Sequence, residues 1–305
     1  MKLVFAGTPQ VAVPSLLALA DSPHSIAAVI TRADAPLGRK RVLTPSPLAQ
    51  AAAGLGLPLL KTNRLDAAAT DRIEALEPDL GVIVAYGGLV REPLLSVPRL
   101  GWINLHFSLL PRWRGAAPVQ RAIMAGDERT GAAVFQLVAE LDAGAVFASF
   151  SEPISRHATA GGLLESLSHS GAVLLRSVVD RLEAGTIEAV PQVGEPTTAA
   201  KLGLADARID WTASAEAVYN RVRGVTPEPG AFTMLGDARL KVLDLAPTHG
   251  AQPLPAGVIR EFDKKVLIGT GTEPLELVTV QPAGKTQMKA IDWWRGMAAT
   301  DVVAS

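Results

Sequence analysis

With 305 residues, 48% of them hydrophobic and 19% charged, the chain can build one large core or two ordinary ones, and extended disorder is excluded. A formal net charge of −1 excludes a general polycation, so any nucleic-acid contact must come from local patches. The absence of cysteine excludes disulfides, thiolate zinc sites and thiol nucleophiles and suits a reducing compartment; with no signal-peptide pattern and no apolar run of membrane-spanning length, a cytoplasmic protein is expected.

The first half alternates β-branched runs with Ala/Leu-rich amphipathic ones. Strands are predicted over Lys2–Ala6, Ile26–Thr31, Leu80–Tyr86 and Gly101–His106, with helices over Ser15–Ala20 and Leu48–Gly54. This alternation predicts an α/β domain with an open, mostly parallel, Rossmann-like sheet and helices on both faces. A longer helix over Gly162–Gly185 places Leu163, Leu167, Leu174, Val178 and Leu182 on one stripe. Val190–Thr198 is poor in large apolar residues and reads as a connector. Beyond it come a helix over Ser214–Arg223 and five short runs, Ala231–Leu235, Leu240–Leu245, Gly257–Glu261, Lys265–Thr270 and Leu275–Val280. Their close spacing predicts a small antiparallel, OB-like barrel. The expected organisation is a catalytic domain over 1–189, a linker over 190–205 and a barrel over 206–305.

Phe5-Ala6-Gly7-Thr8-Pro9 follows a strand but lacks the G-x-G-x-x-G and P-loop patterns, so a nicotinamide-dependent oxidoreductase finds no support. The five histidines (24, 106, 157, 169 and 249) show no metal-ligand spacing, and no metal is expected. The chemistry concentrates in Asn104-Leu105-His106-Phe107-Ser108-Leu109-Leu110-Pro111-Arg112-Trp113-Arg114-Gly115-Ala116-Ala117-Pro118-Val119-Gln120. Asn104 and His106 are two apart on a strand and leave the same face, toward the crevice where open α/β sheets bind ligands. An amide donor beside an imidazole suits a developing oxyanion, although the same pair also reads as an ordinary hydrogen-bonded couple at a sheet edge. Ser108 has no G-x-S-x-G elbow around it and is not read as a nucleophile.

Asn-Leu-His-x-Ser-Leu-Leu-Pro-x-x-Arg-Gly resembles the signature of the folate-dependent formyltransferases. Its continuation resembles the branch that formylates methionyl initiator tRNA. Phe5–Pro9, Val84-Ala85-Tyr86-Gly87, Leu141-Asp142-Ala143-Gly144, Ala207-Arg208-Ile209-Asp210-Trp211, Pro227–Ala231 and Gln281–Lys285 resemble further family landmarks in the expected order. The resemblance implies a catalytic trio of Asn104, His106 and Asp142. Asn104 and a protonated His106 would stabilise the oxyanion, with Asp142 polarising His106 and relaying a proton. It also implies tetrahydrofolate contacts at Ser108, Leu109, Leu110, Pro111, Tyr86 and Gly87. The implied donor is 10-formyltetrahydrofolate as a co-substrate, with no tightly bound cofactor, and the implied acceptor is the initiator methionyl-tRNA.

Arg32, Arg39, Lys40 and Arg41 face only Asp34 in a long Gly/Pro-containing loop. Taken alone this is a solvated basic loop; the resemblance makes it a tRNA-contacting loop through Arg39, Lys40 and Arg41. Residues 206–305 are nearly balanced in charge, so a tRNA groove there would need segregation of charge within the domain. The competing readings are a formyltransferase for a small amine, such as glycinamide ribonucleotide or an amino sugar nucleotide, and a non-catalytic RNA-binding protein. The intact trio argues against the second.

Overall fold

A computed structural model describes residues 1–38, 40–248, 250–297 and 302–305. The chain divides into two compact units. The first comprises Met1–Pro118, Thr130–Glu152 and Leu164–Ala199, and the second comprises Val119–Arg129, Pro153–Leu163 and Ala200–Ser305.

The first unit is built on β1 (Lys2–Gly7), β2 (Ser25–Thr31), a hairpin of β3 (Ala35–Leu37) and β4 (Val42–Thr44), β5 (Leu59–Lys61), β6 (Leu80–Val84) and β7 (Trp102–His106). It also holds β8 (Arg114–Gly115), β9 (Arg129–Gln136), β10 (Val146–Pro153) and β11 (Thr198–Ala199). Seven of these form one sheet in the order β10-β9-β7-β6-β1-β2-β5. β5, β2, β1, β6 and β7 run parallel, whereas β9 lies antiparallel to β7. The chain thus leaves β1 first to one side and then to the other, and β6 and β7 end beside that reversal, where such sheets open a crevice.

Strand and helix boundaries follow local chemistry. Pro47 opens α2 (Pro47–Gly54) after Ser46, whose hydroxyl accepts from the Ala49 N–H. Asp66 caps α3 (Ala67–Glu74) in the same way through Ala69. The earlier helix α1 covers Val13–Ala20. Alternation on the strands sends Val4, Ala6, Ile83 and Trp102 to one face, where they pack with Ala69 and Ile73 of α3. β6 is buried throughout and stops at Val84, two residues short of the sequence expectation, because Ala85 turns to φ 49°.

In the second unit, α4 (Pro118–Met124) and the start of α5 (Ala160–Glu183) join α6 (Leu204–Ala207), α7 (Ala215–Gly224) and α8 (Ala290–Arg295). Its antiparallel sheet contains β12 (Phe232–Leu235), β13 (Ala238–Pro247), β14 (Val258–Phe262), β15 (Lys265–Ile268), β16 (Leu275–Pro282), β17 (Met288–Lys289) and β18 (Val302–Val303). The order is β12-β13-β16-β15-β14-β18, with β17 paired to β16. Among the described residues no strand ladder joins β12 to β18, but Ser305 exchanges two backbone hydrogen bonds of 3.0 Å with Met234 across that opening. The interior holds Trp211, Val218, Val242, Ile259, Leu277 and Trp293, and the Trp211 indole N–H donates to Thr233 Oγ1 at 2.9 Å. Among the described residues no helix is long and apolar enough to cross a membrane.

Candidate active site

Trp102, Asn104 and His106 alternate onto one face of β7. Trp102 is consumed in the core, while Asn104 is half-buried and His106 is at the strand's carboxyl end. Asn104 and His106 line a cavity of about 770 Å³ together with Tyr86, Gly87, Leu89, Leu137, Leu141 and Asp142. Its size suits a drug-sized organic ligand, and its polar groups gather at the β7 end while Ile83, Leu89, Val90 and Leu137 supply apolar walls.

His106 is held from two sides. One ring nitrogen, Nε2, lies 2.9 Å from the Trp113 carbonyl, an acceptor only, so Nε2 carries the hydrogen and donates. The other nitrogen, Nδ1, is 3.8 Å from Asp142 Oδ2. The Phe135 ring stands edge-on to the imidazole at 6.3 Å. Burial pushes the His106 pKa below its ordinary value, outweighing the upward pull of the Asp142 charge and of the Trp113 carbonyl. The balance thus favours the neutral ring, with Nδ1 free to accept, over the expected imidazolium.

Asp142 is buried and sits at φ 48°, as Ala85 and Trp113 also adopt positive φ around the same site. Its Oδ2 accepts the Gly115 N–H at 2.7 Å. Gly115 itself has φ 126°, and a Cβ there would lie 2.7 Å from the Ala199 carbonyl oxygen. The Arg-Gly of the signature is therefore a steric requirement: only glycine lets β8 approach β11 while aiming its N–H at Asp142.

The structure brings Asn104, His106, Asp142, Tyr86 and Gly87 to one cavity but leaves Ser108, Leu109, Leu110 and Pro111 outside its lining. Ser108 is fully buried, and its hydroxyl donates to the Arg112 carbonyl at 2.6 Å, bracing the turn that presents Trp113–Gly115. Tyr86 donates to the Thr62 carbonyl, and Arg32 stacks over its ring and donates to the Gly87 carbonyl at 2.6 Å. Lys40 and Arg41 are exposed at the β3–β4 hairpin, away from the cavity lining, and Arg39 lies outside the described residues. Among the described residues no group of three His, Asp or Glu side chains is placed to hold a metal.

Sequence reasoning missed Gln192. It lies in the stretch read as a connector, yet its side-chain amide donates to the carbonyls of Asp142 and Gly144 at 2.7 and 2.9 Å. A lone glutamine among prolines, glycine and threonines carries no periodic signal that could have exposed it.

The two halves of the chain match models described as formyl transferase, over residues 1–179, and formyl transferase C-terminal domain, over residues 201–298. The chain is thus a formyl transferase, an enzyme that moves a one-carbon acyl group. Methionyl-tRNA formyltransferases of Clavibacter sepedonicus and Leifsonia xyli subsp. xyli are each 60% identical to it over the full length of both chains. The chain belongs to the methionyl-tRNA formyltransferase family. The fold is also that of an N-formyltransferase from Helicobacter canadensis solved with folinic acid and dTDP-3-aminofucose, with TM-score 0.68 and 16% identity over 94% of this chain and 100% of that one.

Proposed function

We propose that this chain transfers the formyl group of 10-formyltetrahydrofolate to the α-amino group of methionyl initiator tRNA, giving N-formylmethionyl-tRNA for translation initiation in the cytoplasm. The observation that carries the reading is the convergence of Asn104, His106 and Asp142 on one cavity of about 770 Å³ that is otherwise lined largely by apolar residues, with Tyr86 and Glu140 among the exceptions. The acceptor follows from the full-length relatives named above. The folate fits the cavity in kind: a flat ring system needs apolar walls, and the backbone of Ala85–Gly88 and Leu137–Asp142 supplies polar edges. Tyr86 and Gly87 contact it directly in this reading. Ser108–Pro111 support the turn beside it, and any direct folate contact of these four residues rests on the family resemblance.

In the proposed reaction the neutral amine attacks the formyl carbon, forming a C–N bond and placing negative charge on the formyl oxygen. The Asn104 amide N–H donates to that oxygen, and this donor gains strength as charge develops there in a water-poor site. The amine's proton passes to the neutral His106 at Nδ1, because Nε2 is engaged by Trp113. Asp142 stabilises the imidazolium so formed. The bond from the formyl carbon to N10 then breaks as His106, with Asp142 as relay, returns a proton to N10. The product is the N-formyl amine plus tetrahydrofolate, and no acyl-enzyme is required because the substrate amine is the nucleophile.

Residues 206–305 and the β3–β4 hairpin hold the tRNA in this reading. At the hairpin, Lys40 and Arg41 offer charge to phosphates, beside exposed Leu37, Val42 and Leu43. The test is incubation with 10-formyltetrahydrofolate and charged initiator tRNA, alongside glycinamide ribonucleotide and an amino sugar nucleotide, with mass detection of the products. Formylated methionyl-tRNA is the expected product. Formylation of a small amine alone would overturn the acceptor.

A further inference from the structure

Asp142 carries a demanding position. Its side chain must stay near His106 Nδ1 while its backbone holds a left-handed turn at φ 48°. Its Oδ2 is held by Gly115. The backbone on either side of that turn is held by a different residue. Gln192 spends both hydrogens of its amide on two carbonyls of the loop, those of Asp142 and Gly144. Its Oε1 accepts from Arg114 Nε and Nη2 at 3.1 and 2.8 Å, and the remaining guanidinium nitrogen, Nη1, reaches Glu140 Oε1 at 3.2 Å. The glutamine is therefore saturated, and its rotamer is fixed by a forked cation that is itself only 16% exposed. A guanidinium on the amide oxygen also polarises the amide and strengthens its two N–H donors. Upstream, Val190 exchanges backbone hydrogen bonds with Val146, so the segment that carries Gln192 is anchored on the sheet.

We infer that Gln192, oriented by Arg114, is a positioning residue that holds the Asp142 loop at working distance from His106. The inference rests on the reading of Asp142 as the proton relay. Neither side chain lines the cavity or reaches the reacting atoms; both act through Asp142. Arg114 and Gly115 are adjacent, so the same strand fixes the Asp142 carboxylate through the Gly115 N–H and its main chain through Arg114 and Gln192. Loss of Gln192 frees the loop to move by an ångström or so, a displacement on which general acid–base transfer loses up to about a hundredfold.

The test compares Gln192→Ala and Gln192→Glu with wild type, alone and combined with Asp142→Asn. Gln192→Glu keeps the volume and the Arg114 contact but removes both donors, so it serves where the alanine variant unfolds. Both should lower kcat by roughly tenfold to a hundredfold while KM for folate and tRNA stays within about twofold. In the Asp142→Asn background the same changes should cost little more, since the group they position is already disabled. Independently of any acceptor, the His106 imidazole followed by NMR should titrate lower in Gln192→Ala, which adds no charge of its own. Of its neighbours, the Asp142 carboxylate would have moved away, while the Trp113 carbonyl and Phe135 ring would remain. A kcat within twofold of wild type, losses that multiply with Asp142→Asn, or an unchanged His106 titration would each overturn the inference. A wild type idle on charged initiator tRNA, with the His106 titration still shifted, would overturn only the functional reading.

Discussion

Gly115→Ala is the smallest change that should damage both stability and turnover. At φ 126° the backbone lies where non-glycine residues are strained, at a cost of about 1–3 kcal/mol. The new methyl would sit 2.7 Å from the Ala199 carbonyl oxygen and 3.2 Å from its carbon, both main-chain atoms that cannot swing aside. Relief requires β8 to move off β11, and that movement withdraws the Gly115 N–H from Asp142 Oδ2, now 2.7 Å away. Losing a hydrogen bond to a charged group costs about 1.5–3 kcal/mol. The total is roughly 2.5–6 kcal/mol before relaxation, a large share of the ~5–15 kcal/mol that holds a domain folded. Urea unfolding should report the stability loss, and formyl-transfer kinetics should report a fall in kcat. Gly56→Ala is the control: Gly56 also has positive φ, 67°, but nothing lies within 4 Å of the added carbon, so it should lose only about 1 kcal/mol. If Gly115→Ala unfolded like this control and kept its turnover, the steric coupling of β8, β11 and Asp142 would be refuted.

Three further outcomes are expected. Asn104→Ala removes the proposed oxyanion donor and should lower kcat roughly a hundredfold or more, with folate affinity little changed by equilibrium titration. Asp142→Asn should abolish most transfer while the fold survives. The Asp142 charge raises the His106 pKa and burial lowers it, so removing the charge should move the acid limb of the residual pH–kcat profile to lower pH; a shift to higher pH would contradict the assigned electrostatics. Replacing Lys40 and Arg41 together with alanine should make the salt dependence of kcat/KM for charged tRNA shallower by about one unit of slope for each phosphate these side chains neutralise, and Arg39→Ala by about one, leaving folate binding unaffected.

The parallel part of the sheet was legible because β1, β2, β6 and β7 are short apolar runs, rich in Val and Ile in β2 and β6, bounded by Gly, Pro or polar residues, and period-two alternation puts Asn104 and His106 on one face. β9 was not legible. Its opening Arg-Thr-Gly-Ala-Ala is small-residue sequence with little strand propensity, and Gly131 is required there because an added Cβ would fall 1.9 Å from the Phe150 carbonyl oxygen. That requirement exists only once β10 is in place, and no local pattern announces it. Within the site, Asn104 and His106 were found by spacing and by resemblance, and Asp142 by resemblance alone. The downward pull on the His106 pKa was beyond reach, since it depends on how completely other segments bury the ring. Gln192 was invisible for the related reason that its importance lies wholly in partners far away in sequence.

The stretch from Val190 to Ala199, bare of apolar periodicity, is laced into the first unit. Trp113 and Arg114 donate their backbone N–H groups to Thr197, and those of Ala116 and Ala117 reach the Ala199 carbonyl. A gene fusion or exchange of second units between relatives that cut the chain at residue 189 would therefore leave behind the lacing of the catalytic turn. Because the second unit also takes in Val119–Arg129 and Pro153–Leu163, no single cut separates the two units, and what reads as a tether in the sequence must travel with the chemistry in any recombinant.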